Sequence, residues 1–358
     1  MPGLKRAVRA ASLVAAASLT LLTTQAIAKD SVKIGLCVSW PGYALHEIAR
    51  QKELAPDYDI ELVIFDDPLG GHAALAAGQI DVYECTGDYT PLAVDRGTGV
   101  VNVAFTNPSY GVDHIILAPG VDPSTIAGKR IAAPQAYIGQ LLMGVWLDSK
   151  GVSLKQVDWV NLNADEAVGP MISGDLSAAY LYEPWISKVM ENLPGSSSAV
   201  NTADPAMLKT GIFMDTVYMN GDFVKNRRAA ATAMLRARWD ALGWWHENTK
   251  EGNEILAKFL KWPLEDIQYV IGTNGKFLDG GIYMYDFDQS AQVCGVLEGE
   301  PPFELGNGAM PRVVKAVNEW WVRLDLMKTV HEPDAGIDCS LMAELLKSGY
   351  RQSFGPNE

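Results

Sequence analysis

One sequence pattern occurs twice in this chain and constrains its fold more than any other feature. Around Gly78 and again around Gly174, an apolar helix ends at glycine, a short strand follows, and the strand runs into a polar loop. Two such units predict two similar α/β lobes, because strands that alternate with helices form parallel sheets. Ligands bind outside the carboxyl ends of such strands, so facing strand ends predict a cleft between the lobes.

The N-terminus has the parts of a secretory signal peptide. Basic residues Lys5, Arg6 and Arg9 precede an apolar stretch, which is followed by an A-x-A cleavage site that ends at Ala28. This arrangement is typical of export from a bacterial cytoplasm. We expect cleavage after Ala28 and a periplasmic protein that is free rather than lipid-anchored, because no cysteine follows a lipoprotein-like box.

The charge of the chain excludes some partners. Its 358 residues include 29 Lys+Arg and 43 Asp+Glu, for a net charge of −14, and the predicted leader contains none of the acids. A chain this acidic is unsuited to nucleic acid or to anionic membrane surfaces, which require basic patches. The length suits two domains rather than one core, and we expect a monomer.

Four cysteines in an exported chain raise the question of disulfides. Cys294 and Cys339 both lie in glycine-bearing segments near the C-terminus, and pairing and non-pairing remain equally open for them. Cys37 and Cys85 lie in or beside apolar strands, where we expect small buried hydrophobic residues rather than a bridge. The chain has no C-x-x-C motif of a zinc or redox site.

A set of short motifs follows in a characteristic order. These are residues 78–81 (GQID), Gly87 with 91–93 (PLA), 126–134 (IAGKRIAAP), Gly174 with 178–179 (AA), and 183–185 (EPW). In this order they resemble the nitrate/sulfonate/taurine-type periplasmic binding proteins, which are the solute-capturing subunits of ABC importers. The resemblance extends over about residues 31–241. It implies a small-molecule ligand, permease and ATPase partners at the membrane, and no cofactor or catalysis.

The resemblance also implies an architecture. The fold class is α/β, in the two-lobed type II periplasmic binding protein fold, with two parallel-core sheets flanked by helices and joined by a hinge. After the signal peptide at 1–28, lobe 1 is expected over 29–117, lobe 2 over 118–213, and the rest of lobe 1 with C-terminal helices over 214–358. The two chain crossings are expected near 116–119 and 212–215.

The implied cleft loops are rich in acids and aromatic rings and contain no Lys or Arg. The candidate ligand-binding residues are Trp40, Tyr43, Glu84, Asp88, Asp113, Tyr137, Glu183, Trp185 and Asp215. Carboxylates accept N–H bonds, and Trp or Tyr faces attract cations by roughly 0.5–2 kcal/mol. The set therefore favours a small organic nitrogen cation of the guanidinium, amidinium or amine type.

Each candidate also has a structural interpretation. Glu84 and Asp88 can instead cap neighbouring helices, Asp113 can be a solvated turn residue, and Asp215 can hold the hinge through a hydrogen bond. The aromatic candidates can be core residues. Glu183 precedes a proline, which restrains it to extended geometry, and we place it in the cleft.

Two other functions remain open. The first is binding of taurine or another sulfonate, with Asp215 or Glu183 on the amine and backbone amides near Gly70 or Gly87 on the acid; the turn at 135–139, however, lacks the Ser and Thr of sulfonate-binding members. The second is a periplasmic enzyme on the same fold. The sequence has no metal-ligand spacing, P-loop or nucleophile elbow that would favour it.

Overall fold

The computed structural model describes residues 29–278 and 280–354, so the predicted signal peptide lies outside the described residues. Within that part of the chain there are ten strands and fourteen α-helices. The strands are β1 Asp30–Cys37, β2 Tyr58–Phe65, β3 Val82–Thr86, β4 Val100–Pro108, β5 Asp113–Leu117, β6 Arg130–Ala132, β7 Asp158–Val160, β8 Ala178–Tyr182, β9 Ser197–Asn201 and β10 Met214–Asn220. The helices are α1 Leu45–Gln51, α2 Pro68–Ala76, α3 Thr90–Asp95, α4 Ile138–Ser149, α5 Ala164–Ser173, α6 Trp185–Asn192, α7 Pro205–Thr210, α8 Gly221–Asn226, α9 Arg228–Glu247, α10 Thr249–Leu260, α11 Leu264–Ile271, α12 Phe287–Cys294, α13 Met310–Arg323 and α14 Ser340–Lys347.

The strands form two five-stranded sheets with the same plan. Lobe 1 has the order β2-β1-β3-β10-β4, and lobe 2 has the order β7-β6-β8-β5-β9. In each, the first three strands are parallel, and the fourth, β10 or β5, runs antiparallel to both neighbours. This confirms the predicted α/β class with two parallel-core sheets. Helices α1, α2, α3, α9, α12 and α14 pack with lobe 1, and α4, α5 and α6 pack with β8 of lobe 2.

The two glycines of the repeated pattern occupy equivalent places. Gly78 follows α2 and Gly174 caps α5, and both have positive φ, at 67° and 81°. Glycine adopts this left-handed conformation without the steric cost that a side chain carries, so each helix can stop and turn into its strand. The short strands β3 and β8 then run to the edge of their sheets where the lobes meet.

The chain crosses between the lobes earlier than the sequence predicts. Strand β5 belongs to the second sheet, where it pairs with β8 and β9, so the first crossing lies at residues 109–112 rather than near 116–119. The apolar run in β5 indicates a strand, but it does not indicate which of the two sheets the strand joins. Its antiparallel partners, β8 and β9, lie more than sixty residues later in the chain. The return crossing occupies residues 202–213, in front of β10.

Both cysteine pairs form disulfides. Cys294 pairs with Cys339, which settles the question that the sequence leaves open. Cys37 pairs with Cys85, so the prediction of two unpaired buried cysteines is wrong. The reason is strand register: β1 and β3 are parallel neighbours with Leu36 opposite Glu84, which brings the next pair of Cα atoms within 4.9 Å of each other.

The largest buried side chains belong to the C-terminal helices that cover lobe 1. Trp239, Trp245 and Trp321 are completely buried in one continuous core. Tryptophan side chains therefore anchor these helices to the rest of the core. Within the described residues, no helix combines the length and the apolar character that crossing a bilayer requires.

Candidate functional site

A cavity lies between the lobes, at the edge where β3, β5, β8 and β10 meet. With the lobes in this arrangement its free volume is about 20 Å³, roughly the room that one water molecule requires, so a larger ligand needs the lobes to move apart. Both lobes contribute to its walls. The lining residues are Val38, Trp40, Tyr43, Thr86, Ser109, Val112, Asp113, Tyr137, Ile138, Tyr180, Tyr182, Asp215 and Ile282.

Asp215 brings a carboxylate from lobe 1. It stands near the start of β10 and is 7% exposed. The Tyr43 hydroxyl donates to one oxygen at 2.8 Å, and Asn107 Nδ2 donates to the other at 2.8 Å. Burial raises the pKa of Asp215 to about 7, even though both hydrogen bonds favour the ionised form. These two donors fix the orientation of the carboxylate.

Asp113 brings the second carboxylate, from the first residue of β5 in lobe 2. It is 6% exposed and accepts a hydrogen bond of 2.5 Å from the Tyr180 hydroxyl. Burial raises its pKa, while hydrogen bonds from Ser109 and Tyr180 lower it. The charge on Asp113 also contributes to the raised pKa of Asp215, so the two carboxylates interact electrostatically. Each lobe therefore contributes one buried acid to the same cavity.

Aromatic rings form much of the remaining wall. Trp40 contacts Tyr182 edge to face, with ring centroids 5.5 Å apart, across the boundary between the lobes. Tyr180 and Tyr182 lie side by side on β8, with centroids 6.2 Å apart. Tyr137 precedes α4 and follows Ala136, a non-glycine residue with φ of 54°. Such rings offer flat apolar faces whose quadrupole attracts cations.

The residues that line the cavity include acidic side chains but no basic ones. Among its thirteen residues there are two carboxylates and no Lys, Arg or His. An anionic ligand would face two buried acids without an opposing cation, whereas a cationic ligand would neutralise them. The arrangement is therefore chemically suited to a small cation with N–H donors and an apolar or planar body.

Five of the nine predicted site residues line the cavity: Trp40, Tyr43, Asp113, Tyr137 and Asp215. Glu84 does not. Its side chain is completely buried away from the cavity, between Arg238 Nε at 3.0 Å and His46 Nδ1 at 2.7 Å. Burial by itself raises the pKa of Glu84, but these two partners outweigh it and lower the pKa. Glu84 is thus part of an internal ion pair, a role that the sequence analysis did not consider.

Glu183 and Trp185 also lie outside the lining. Glu183 accepts hydrogen bonds from the backbone N–H of Ser187 at 3.2 Å and from its hydroxyl at 3.1 Å, and so holds the first turn of α6. Burial raises its pKa. Trp185 begins α6 and carries Lys188 over its ring, at 5.3 Å. A position at a strand end predicts the region of the protein in which a residue lies, but it does not predict the direction of the side chain.

Asp88 is neither in the lining nor a helix cap. It is 1% exposed, and α3 begins with Tyr89 as its N-cap, with no side-chain hydrogen bond. The backbone oxygen of Asp88 accepts from Trp321 Nε1 at 2.6 Å, while both carboxylate oxygens are without a hydrogen-bond partner. Burial raises the pKa of Asp88 to about 7.

Several lining residues were not predicted. Tyr180 and Tyr182 alternate along β8 and point to one face, a period-two signal that the sequence does contain. Thr86 and Ser109 give no such signal. Neither does Asn107, which is outside the lining but holds Asp215, because its role depends on the pairing of β10 with β4. Ile282 comes from a loop far along the chain.

Beside the cavity, α4 of lobe 2 meets the C-terminal end of α13 of lobe 1. Lys155 Nζ lies 2.5 Å from Asp325 Oδ2, and Arg323 pairs with Asp148, so each lobe contributes one acid and one base. These pairs are more than half exposed and contribute little on their own. The close contact is between Gly144 of α4 and the Leu324 side chain.

We expect Gly144→Val to weaken ligand binding about tenfold by holding the lobes apart. A Cβ atom on Gly144 would lie 2.9 Å from Leu324 Cδ2, and overpacking of this kind costs about 1–3 kcal/mol. The cost falls on the state with the lobes in contact. Titration calorimetry measures the change. Gly169→Val is the matched control, since Gly169 is also inside a helix but has open space around it. Equal affinities for the two variants would contradict the expectation.

Comparisons with solved structures define the class by its fold. The periplasmic aliphatic sulphonate binding protein SsuA of Escherichia coli superposes with a TM-score of 0.66 at 15% identity, over 86% of this chain and 92% of that chain. The periplasmic nitrate-binding protein NrtA of Synechocystis PCC 6803 gives 0.65 at 16% identity, over 90% and 89%. The chain has the two-lobed fold of ABC-type periplasmic binding proteins, which confirms the predicted resemblance.

At the level of sequence, residues 119–261 match the NMT1-like family. A Brucella abortus (strain 2308) protein, whose name marks it as a proposed binding protein, is 24% identical over 266 residues, or 73% of this chain and 81% of that protein. The fold also occurs in the desulfurization enzyme DSZB, with a TM-score of 0.58 at 14% identity over 90% of this chain. The fold alone does not separate binding from catalysis.

Proposed function

We propose that this protein is the periplasmic solute-binding component of an ABC importer and that it captures a small organic nitrogen cation. The observation that carries the proposal is the pair of buried carboxylates, Asp113 and Asp215, one from each lobe, in a cavity whose lining has no basic residue. A guanidinium, amidinium or ammonium group placed between them donates hydrogen bonds to both lobes at once. Binding then stabilises the arrangement in which the lobes are in contact.

Transport follows from the class of fold rather than from the cavity. Binding proteins of this architecture present a closed, loaded form to membrane subunits, and we infer permease and ATPase partners for this chain. The fold and the predicted leader support a periplasmic location.

The first alternative is an aminosulfonate such as taurine, or another sulfonate. Structural neighbours include a sulphonate-binding protein, and Thr86 and Ser109 offer hydroxyls in the lining. A sulfonate, however, would lie beside two carboxylates, unless both were protonated and donated hydrogen bonds to it. The two ligand classes therefore predict opposite pH dependences.

The second alternative is an enzyme. The lining contains two hydroxyl nucleophiles, Thr86 and Ser109, and Ser109 Oγ is paired with Thr202. No histidine lies in the lining, and all four cysteines are in disulfides. Incubation of the bound ligand with the protein, followed by mass spectrometry, tests this alternative; a new product would favour it.

The deciding experiment is a ligand panel on protein that has been unfolded, washed and refolded to remove carried-over ligand. The panel contains guanidine, amidines and amines on one side and taurine, alkanesulfonates and nitrate on the other. A ligand at 100 times its dissociation constant stabilises the fold by about 2.7 kcal/mol, which a thermal-shift assay resolves. Stabilisation by cations alone supports the proposal, and stabilisation by sulfonates or nitrate alone overturns it.

We expect the affinity for the cation to fall as the pH falls below about 7. The pKa of Asp215 is about 7 in the free protein, so at lower pH the cation must displace a proton. Each displaced proton weakens binding by up to tenfold per pH unit, and the affinity levels off above pH 7. Asp215 is faced by Tyr43, Asn107, Tyr137, Asp113 and, through its field, Arg238. Calorimetry between pH 5 and 8.5 measures the trend; tighter binding at low pH would favour the sulfonate alternative.

A further inference from the structure

The Cys37–Cys85 disulfide joins the two strand ends that bring lobe 1 residues to the cavity wall. Cys37 is the last residue of β1 and is followed by Val38, while Cys85 on β3 is followed by Thr86, the last residue of that strand. Val38 and Thr86 both line the cavity, and both cysteines are completely buried. These four residues form the bridged edge of the site. The bridge ties two segments that are 48 residues apart at the point where each meets the cavity.

Val38 has an unusual backbone conformation. Its φ is 59°, in the left-handed region that β-branched residues rarely occupy because Cβ crowds the backbone. Such conformations persist where the surrounding structure imposes them, and they concentrate at ligand-binding sites. The Val38 N–H donates to the Phe65 carbonyl oxygen at 2.8 Å, and the bridge fixes Cys37 directly before it. The hydrogen bond and the disulfide together therefore hold Val38 against the cavity.

The bridged edge also contacts parts of the site that come from elsewhere in the chain. Thr86 lies directly opposite Asp215 in the antiparallel pairing of β3 with β10. From lobe 2, the Tyr137 hydroxyl lies 3.8 Å from Cys37 Sγ, and it is the donor of this contact because a disulfide sulfur carries no proton. Asp215 and Tyr137 are both lining residues. The bridge is therefore one step away from an acid of the proposed site and in contact with the opposite lobe.

The second disulfide has no such position, although it closes a loop of nearly the same length. Cys294 ends α12 and Cys339 precedes α14, and neither cysteine has a sequence neighbour in the cavity lining. The two bridges span 48 and 45 residues, so they restrict the unfolded chain almost equally, since that effect depends on the logarithm of loop length. Any difference between the effects of removing them must therefore come from their places in the folded protein.

We propose that the Cys37–Cys85 bridge is a positioning element of the ligand site, which holds the lobe 1 wall in its binding conformation before the ligand arrives. This inference rests on the proposed function and adds residues that act through the lining. The cavity has a free volume of about 20 Å³ with the lobes in contact, so a ligand must enter while they are apart, when lobe 2 does not support this wall. The bridge keeps Val38 and Thr86 in place in that open form. A wall that is already ordered reduces the conformational entropy that binding costs.

The test compares two double variants, Cys37→Ala with Cys85→Ala and, as the matched control, Cys294→Ala with Cys339→Ala. Hydrogen–deuterium exchange, read by mass spectrometry, follows the peptides that carry the bridged edge. Loss of the first bridge should speed exchange there about tenfold, whereas loss of the second should leave it within about threefold of the wild type. Guanidinium chloride at low-millimolar concentration, far below the molar range in which it denatures proteins, is the probe for titration calorimetry. Its dissociation constant should rise about tenfold in the first variant and stay within about twofold in the control.

The outcomes separate this inference from the proposed function. Equal exchange in the two double variants, or equal affinities for guanidinium, would overturn the inference and leave the cation-binding proposal standing. If guanidinium does not bind the wild-type protein, that result counts against the proposed function, and the exchange measurement alone decides the inference.

A single variant tests the same wall if melting curves show that the protein without the Cys37–Cys85 bridge does not fold. Val38→Gly keeps the bridge, and glycine adopts a φ of 59° without strain, so this variant should melt cooperatively. The freed backbone should exchange faster at the bridged edge, and the dissociation constant for guanidinium should rise. Exchange and affinity equal to those of the wild type would contradict the inference.

Discussion

Replacement of Arg238 by methionine should destabilise the protein by about 3–5 kcal/mol, because it leaves Glu84 charged and buried without its main partner. Arg238 and Glu84 are both 0% exposed, and Nε of the arginine lies 3.0 Å from the carboxylate. His46 alone remains beside the acid and is held by the Met234 carbonyl oxygen at 3.0 Å. Urea denaturation followed by circular dichroism measures the free energy of unfolding.

The chain provides a matched control on the same helix. Arg236 pairs with Asp240 at 3.1 Å, but the arginine is 57% exposed, so Arg236→Met should cost less than about 1 kcal/mol. The double variant Glu84→Met with Arg238→Met removes both charges and should recover most of the lost stability. If Arg238→Met proved no more harmful than Arg236→Met, Glu84 would not depend on this ion pair.

The second large effect concerns the ligand. Asp215→Asn should raise the dissociation constant for the cation at least 30-fold, because loss of one member of a buried charge pair costs about 2–5 kcal/mol. The substitution keeps the size of the side chain and an oxygen for the Tyr43 hydroxyl, but it removes the charge and the acceptor for Asn107 Nδ2. The pKa of Asp215 is about 7, so the fold already accommodates the neutral form of this side chain. Titration calorimetry at pH 8 gives the ratio.

Glu183→Gln serves as the control for this measurement. Glu183 is an acid on a strand end in the cleft region, yet its oxygens are bonded to Ser187 and it is not part of the cavity wall. We expect its affinity to stay within threefold of the wild type. A large loss in Glu183→Gln together with no loss in Asp215→Asn would mean that the ligand lies elsewhere in the cleft.

The sequence predicts the fold well because its signals are local. A glycine that ends a helix is recognised from a few neighbouring residues, and so is a buried strand followed by turn residues. Both signals recur in both lobes. The predicted class and the resemblance are confirmed for that reason. What local signals cannot supply is pairing at long range: the assignment of β5 to the second sheet and the Cys37–Cys85 bridge both depend on which strands become neighbours.

The candidate site shows the same difference between local signals, which the sequence contains, and long-range pairing, which it does not reveal. Tyr137 lies in a loop after β6, as the sequence predicts, whereas Asp113 and Asp215 lie at the starts of β5 and β10. These two strands run antiparallel to β8 and β3, so they begin at the edge where their neighbours end. Glu84 lies two positions before the lining residue Thr86 on β3, so the two side chains share a face, but Glu84 lies further from the strand end, where Arg238 and His46 reach it. A sequence pattern gives this alternation but does not reveal an arginine that comes from a helix 154 residues away.

The insertion of β10 between β3 and β4 has a consequence for how the protein is made. All five strands of lobe 2 lie between Asp113 and Asn201, whereas the sheet of lobe 1 joins β3 to β4 only through β10, at Met214–Asn220. A chain that emerges N-terminus first therefore has lobe 2 available for folding before lobe 1 can close. Asp215 is carried by that last strand, so the newly made protein gains its ligand-binding pair of acids only when both lobes are complete.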